Sequence, residues 1–151
     1  MTIFFAELVG TLILILLGDG VVANVVLKNS KGNGSGWMVI TTGWALAVAI
    51  PALIFGSYSG AHFNPALTIA LAVIGKVAWS QVPIYIAGQF LGAFLGAVLV
   101  FVYNYDQFKT SDNQGDKLAV FCTGPAVRNT TINFICELVG TFLLVFGILG
   151  V

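Results

Sequence analysis

The chain has 151 residues, of which 58% are hydrophobic and 8% charged, with six basic and six acidic side chains cancelling to zero net charge. A soluble domain carries about 25% charged residues, so this composition leaves too little polar surface to face water, and the absence of any basic cluster argues against nucleic acid as a partner. The solvent it suits is a lipid bilayer, where no water pairs the backbone, so the apolar runs are predicted to be helices and the fold class is an all-α transmembrane bundle.

Four runs approach the about 20 residues that a hydrocarbon core of about 30 Å requires: residues 3–26, 37–55, 82–103 and 132–151. The first lacks a basic leading region and a small-residue cleavage site, which makes it a retained span rather than a signal peptide. It holds Glu7 about one turn in, and Asp19 between Gly18 and Gly20. A carboxylate inside a membrane needs hydrogen-bond donors, so Glu7 is predicted to clamp a neighbouring loop rather than relay protons. Asp19, near the far end of the span, reads as an interfacial group. The segment LKNSKGNGSG, residues 27–36, is a short aqueous loop. In the second span Trp44 lies too deep for the interfacial belt that Trp37, Trp79 and Tyr103 fit.

The stretch SGAHFNPALTIA, residues 59–70, has neither the polarity of a loop nor the length of a span. Asn is a preferred N-cap and Pro is favoured at the first helical position, so Asn64 and Pro65 start a helix that runs through Ala66 to about residue 74, where Gly75 follows. Ten residues give about 15 Å, half a bilayer. The expectation is a re-entrant half-helix: the small residues 56–60 lead the chain into the membrane, and the helix N-terminus lies near the midplane with unpaired N–H groups and a partial positive charge. There the carbonyls of Gly60, Ala61 and His62 can accept from passing hydroxyls, and Asn64 can offer its amide N–H groups if its own carbonyl is held by the backbone. The plainer alternative is that Asn64 and Pro65 cap an ordinary helix, but this helix is too short to span and too apolar to lie in water. His62 is the only histidine. Its ring is assigned to packing or gating.

In the third span Gly88, Gly92 and Gly96 recur every four residues and make one smooth face for close helix approach. Residues 105–131 form a long connecting loop that carries half of the charged side chains. The fourth span repeats the first: ELVGT occurs at Glu7 to Thr11 and again at Glu137 to Thr141. A chance identity in apolar sequence is possible in principle, yet a Glu inside a span is rare enough to make duplication the better reading. Three spans separate the copies, so the second enters from the opposite face, as in the inverted repeats of many transport proteins. The layout is then a first repeat over residues 1–104, the connecting loop, and over 132–151 the first span of a second repeat that is cut off, so the chain is expected to be incomplete. Cys122 and Cys136 make no disulfide framework, no Cys/His spacing suggests a metal, and no catalytic set stands in a plausible context. Neither an enzyme nor a cofactor is expected.

With these residues the chain resembles the major intrinsic protein family, the aquaporins and glycerol facilitators. SGAHFNPALTIA is similar to that family's first NPA signature, and AELVGT and ICELVGT to its Glu motifs in the first and fourth spans. The resemblance implies six spans, two half-helices meeting at paired NPA motifs, one pore per subunit and a homotetramer at full length. It gives Asn64 the role of donor to the permeating molecule, Gly60, Ala61 and His62 that of carbonyl acceptors, and Glu7, with Glu137 as its repeat partner, that of loop clamp. Trp44 matches the second-span constriction position, where glycerol facilitators use Trp as an apolar wall. The second NPA, the Arg that follows it and the last two spans are absent. The implied function is a passive channel, or its N-terminal part, for glycerol, other small neutral solutes and water, in a bacterial plasma membrane. The alternatives are a water-selective aquaporin and a non-conducting membrane subunit. The family's cytoplasmic N-terminus would leave Lys28, Lys31, Lys109, Lys117 and Arg128 outside and only Lys76 inside, against the positive-inside bias.

Overall fold

The computed structural model describes residues 1–150, and among them every regular element is a helix. α1 (Ile3–Val26) is capped by Thr2, whose hydroxyl accepts the Phe5 N–H. α2 (Trp37–Ser59) begins after Gly36 and stops at Gly60, whose φ of 81° only glycine adopts without strain. α3 (Pro65–Val73), α4 (Val82–Tyr103), α5 (Tyr105–Thr110), α6 (Gln114–Phe121) and α7 (Thr130–Leu149) follow. By length and composition α1, α2, α4 and α7 can each cross a membrane.

α1 is the axis of the bundle, with α2 and α4 packed along it and α6 across its far end. The contact with α4 depends on small residues, because van der Waals packing rather than the hydrophobic effect joins helices in lipid. A Cβ added to Gly88 would lie 2.8 Å from the Phe4 carbonyl oxygen, one on Gly96 2.8 Å from that of Leu12, and one on Gly92 would run into that of Leu8. The glycine face therefore meets the backbone of α1. On the other side Gly18 admits the Trp44 ring of α2, to which an added Cβ would come within 2.5 Å.

Two expectations change. The second span does not stop at residue 55: α2 continues to Ser59, since in an apolar medium each further helical turn pairs backbone groups that would otherwise go unpaired. The connecting loop is not featureless, for it contains α5 and α6. Asn113 caps α6 by accepting the Gly115 N–H, and Phe108 stacks on Phe121 at 5.6 Å and 8°. Phe108 and Val120 then join Ala23, Leu27 and Val100 in one buried cluster. Asp19, read as an interfacial group, is covered by the bundle with 7% exposure, seven residues before the end of α1. Pro51, fully buried inside α2, removes one helical hydrogen bond that the surrounding packing must tolerate.

Candidate functional site

α3 has nine residues, about 13 Å, and cannot cross a bilayer. Its start is built by Asn64, whose side-chain oxygen accepts the Ala66 N–H at 2.8 Å and the Leu67 N–H at 3.4 Å, with Pro65 in the first turn. That use of the oxygen leaves the Asn64 Nδ2 group without a partner among the described residues. The helix ends at Gly75, φ 76°, where the Lys76 N–H returns to the Leu71 carbonyl at 2.9 Å.

The segment between α2 and α3 is held open by one carboxylate. Gly60, Ala61 and Phe63 have φ of 81°, 52° and 48°, a left-handed conformation that costs a residue with a Cβ about 1–2 kcal/mol. Glu7, fully buried on α1, offsets this by accepting the His62 N–H at 3.1 Å, the Phe63 N–H at 2.8 Å, the Ser59 hydroxyl at 2.5 Å and the Gln89 amide at 2.8 Å. Ser59 in turn accepts the Ala61 N–H at 3.1 Å. The His62 and Phe63 donors are thus turned toward α1, and those of Gly60 and Ala61 toward the end of α2. The carbonyls of Gly60, Ala61 and His62 accept no hydrogen bond among the described residues.

His62 is buried, its ring stacked on Tyr85 at 4.3 Å and 14°, and its Nδ1 lies 3.1 Å from the Thr68 hydroxyl. Tyr85 donates its hydroxyl to the Ser59 carbonyl at 2.7 Å, and Gln89 reaches Thr68 as well as Glu7. Ser59, Thr68, Tyr85 and Gln89 were not singled out by sequence. Gln89 could have been, since an amide inside an apolar span asks for a partner by the same logic as Glu7.

Trp44 belongs to a separate level of the molecule. It packs over Gly18, eleven residues or about 16 Å along α1 from Glu7. There it lines a cavity of about 530 Å³ with Val22, Val26, Ile40 and Thr41, closed on one side by Ala119 and Thr123 of the segment expected to be a plain loop. Glu137, expected as a second clamp, is exposed on α7 and accepts no side-chain hydrogen bond among residues 1–150, because no segment described here lies against it as the 60–64 segment lies against Glu7. No cluster of three His, Cys, Asp or Glu that could hold a metal occurs among the described residues.

Known proteins are similar to this chain in sequence. A glycerol uptake facilitator protein of Bacillus subtilis is 48% identical over 151 residues, all of this chain and 55% of that protein. A probable glycerol uptake facilitator protein of Thermotoga maritima is 57% identical over 151 residues, all of this chain and 64% of that protein. A D/L-lactic acid transporter of Lactiplantibacillus plantarum is 37% identical over 149 residues, 97% of this chain and 61% of that protein. The chain therefore spans between 55% and 64% of the length of these relatives. Residues 1–151 also match, from end to end, the family described as Major intrinsic protein. A half-span helix capped by Asn64, a clamp at Glu7 and similarity along the whole length agree, and the chain belongs to the major intrinsic protein family.

Proposed function

We propose that the protein is a passive channel for glycerol and other small neutral solutes, and water, in a bacterial plasma membrane, assembled as a homotetramer. The observation that carries this reading is the division of the 60–64 segment. The N–H groups of Ala61, His62 and Phe63 are held by Ser59 and Glu7, while three successive carbonyls and the Asn64 amide remain available at the start of a half-span helix. A row of acceptors followed by a fixed donor suits a polyol, whose hydroxyls both donate and accept. A helix N-terminus beside it disfavours cations. Glycerol uptake is also what the names of the Bacillus and Thermotoga relatives state for those proteins.

In this reading residues 1–104 are the first repeat, residues 105–131 its connection and residues 132–151 the start of a second. Gly60, Ala61 and His62 supply acceptors, Asn64 supplies the donor, Pro65 and Ala66 fix the helix start, and Glu7 holds the segment. Glu137 serves the second repeat in the same way. Trp44 is an apolar wall that sets solute size. The chemistry is transport, and no group is assigned to catalysis.

Stopped-flow swelling of vesicles holding the natural full-length protein tests this. Glycerol should enter much faster than into empty vesicles, and Trp44→Ala should admit larger linear polyols that the natural protein excludes, since it removes a steric limit and a C–H contact surface together. Water permeation with no glycerol entry would overturn the reading, and unchanged polyol ratios in Trp44→Ala would remove Trp44 from the filter.

A further inference from the structure

Behind the 60–64 segment the buried polar side chains form a series in which donor and acceptor can be assigned one after another. The Ser59 oxygen already receives the Ala61 N–H, so its own proton faces Glu7. With the His62 and Phe63 N–H groups also pointing at the carboxylate, both Glu7 oxygens are acceptors. Gln89 must then present nitrogen to Glu7, because the flipped amide would set its carbonyl against a carboxylate oxygen. The other proton of that nitrogen reaches Thr68 Oγ1 at 2.9 Å. This orientation is kept even though it leaves Gln89 Oε1 without a partner.

Thr68 Oγ1 now has one proton and one lone pair for two neighbours, the Asn64 carbonyl oxygen at 3.1 Å and His62 Nδ1 at 3.1 Å. The hydroxyl proton turns to the Asn64 carbonyl, four residues back in the helix, which also receives the Thr68 N–H at 3.0 Å. With the proton there, His62 donates from Nδ1. Its Nε2 has no hydrogen-bond partner among the described residues and is not among the buried unpaired atoms, so it keeps access to the solute path and is left as a bare acceptor there.

We propose that Thr68 is a positioning residue whose hydroxyl locks His62 in the neutral Nδ1–H tautomer and so holds the backbone whose free carbonyls form the path. Tyr85 supports the same ring by stacking on it and ties the end of α2 through Ser59. The tautomer rests on the direction of the Thr68 hydroxyl toward Asn64, and its effect on conduction rests on the channel reading. An isolated histidine side chain favours Nε2–H, so the lock shows as a reversal.

Histidine-selective nitrogen-15 labelling of the natural full-length protein in lipid bilayers, read by solid-state NMR, decides the matter, with a His62→Gln sample identifying the resonances by difference. The natural protein should show protonated Nδ1 and bare Nε2, with the Nδ1–H form favoured about tenfold. Thr68→Ser and Tyr85→Phe should keep that pattern, whereas Thr68→Val should make Nε2–H the major form and slow glycerol efflux several-fold. Nε2–H or a doubly protonated ring in the natural protein would overturn the proposal whether or not Thr68→Val folds. So would a Thr68→Val spectrum identical to that of the natural protein, or a switched tautomer with efflux unchanged. Absence of glycerol conduction in the natural protein would instead defeat the channel reading and leave the tautomer result standing.

Discussion

Glu7 collects four donors on a fully buried side chain, and two of them are the N–H groups of residues around a strained turn. Replacing it by Leu leaves those two N–H groups unpaired at about 1–3 kcal/mol each, while Gln keeps one oxygen as acceptor. Thermal unfolding in detergent should therefore show Glu7→Leu far less stable than Glu7→Gln, and equal midpoints would mean that the carboxylate does not hold the turn. The role of Glu7 was legible because a charge inside an apolar run has no bland explanation. Asn64 and Pro65 were legible because capping is local. The side-chain partners of Glu7 were not, since single hydroxyls and amides are common in spans and Ser59 and Gln89 lie 52 and 82 residues away in the chain. The burial of Asp19 was not legible either, since position near the end of a run says nothing of what packs over it.

The helices differ in how much of their environment their own sequence states. On α4 the spacing of Gly88, Gly92 and Gly96 announced a close face but not its partner, which is the backbone of α1. Gly92→Ala should push the two helices apart, because its Cβ would meet the Leu8 carbonyl, and overpacking of this kind costs about 1–3 kcal/mol. Gly20→Ala, with nothing within 4 Å of the new Cβ, should be neutral or stabilising by up to about 1 kcal/mol. Thermal midpoints that order the two variants the other way would contradict this packing. The α5–α6 pair escaped the sequence reading because its helices are short and polar on one side, and their stability comes from Phe108, Val120 and Phe121 rather than from propensity. It is tied to the loop after α1 by the Lys28 N–H on Ser111 at 2.8 Å and by the Lys28 to Asp112 ion pair at 2.8 Å. The hydrogen bond and charge of Lys28 hold Asp112 below the usual carboxylate range, and Asp112 in turn raises Lys28. The lowered Asp112 value means the tie is complete above about pH 4 and lost as acid drops through its folded value; the raised Lys28 value means it persists up to about pH 10 and is lost above. Amide protection factors in α5 and α6, which divide out the intrinsic pH dependence of exchange, should therefore be flat across neutral pH and fall in acid. Asp112→Asn should remove that acid dependence, and an unchanged acid response would show that another group sets it.

At the scale of the whole molecule, composition was enough to name the solvent, and run length enough to place the four long helices within a few residues of where they stand. What sequence could not show is which levels of the bundle carry polar work. The structure separates an inner level, where α1, α3 and α4 enclose Glu7, His62, Thr68 and Gln89, from an outer one, where Trp44 lines a cavity together with Ala119 of α6 and Thr123 after it. The central claim is that the start of α3 is a wall of the solute path and not merely a capped helix end. Glycerol efflux from vesicles holding the natural full-length protein or its Asn64→Asp variant tests it most directly, because Asp keeps the capping oxygen while replacing the free amide donor with a charge. The account predicts rapid efflux from the natural protein and efflux no faster than that of empty vesicles from a folded, equally abundant Asn64→Asp. Equal efflux from the two proteins would contradict it.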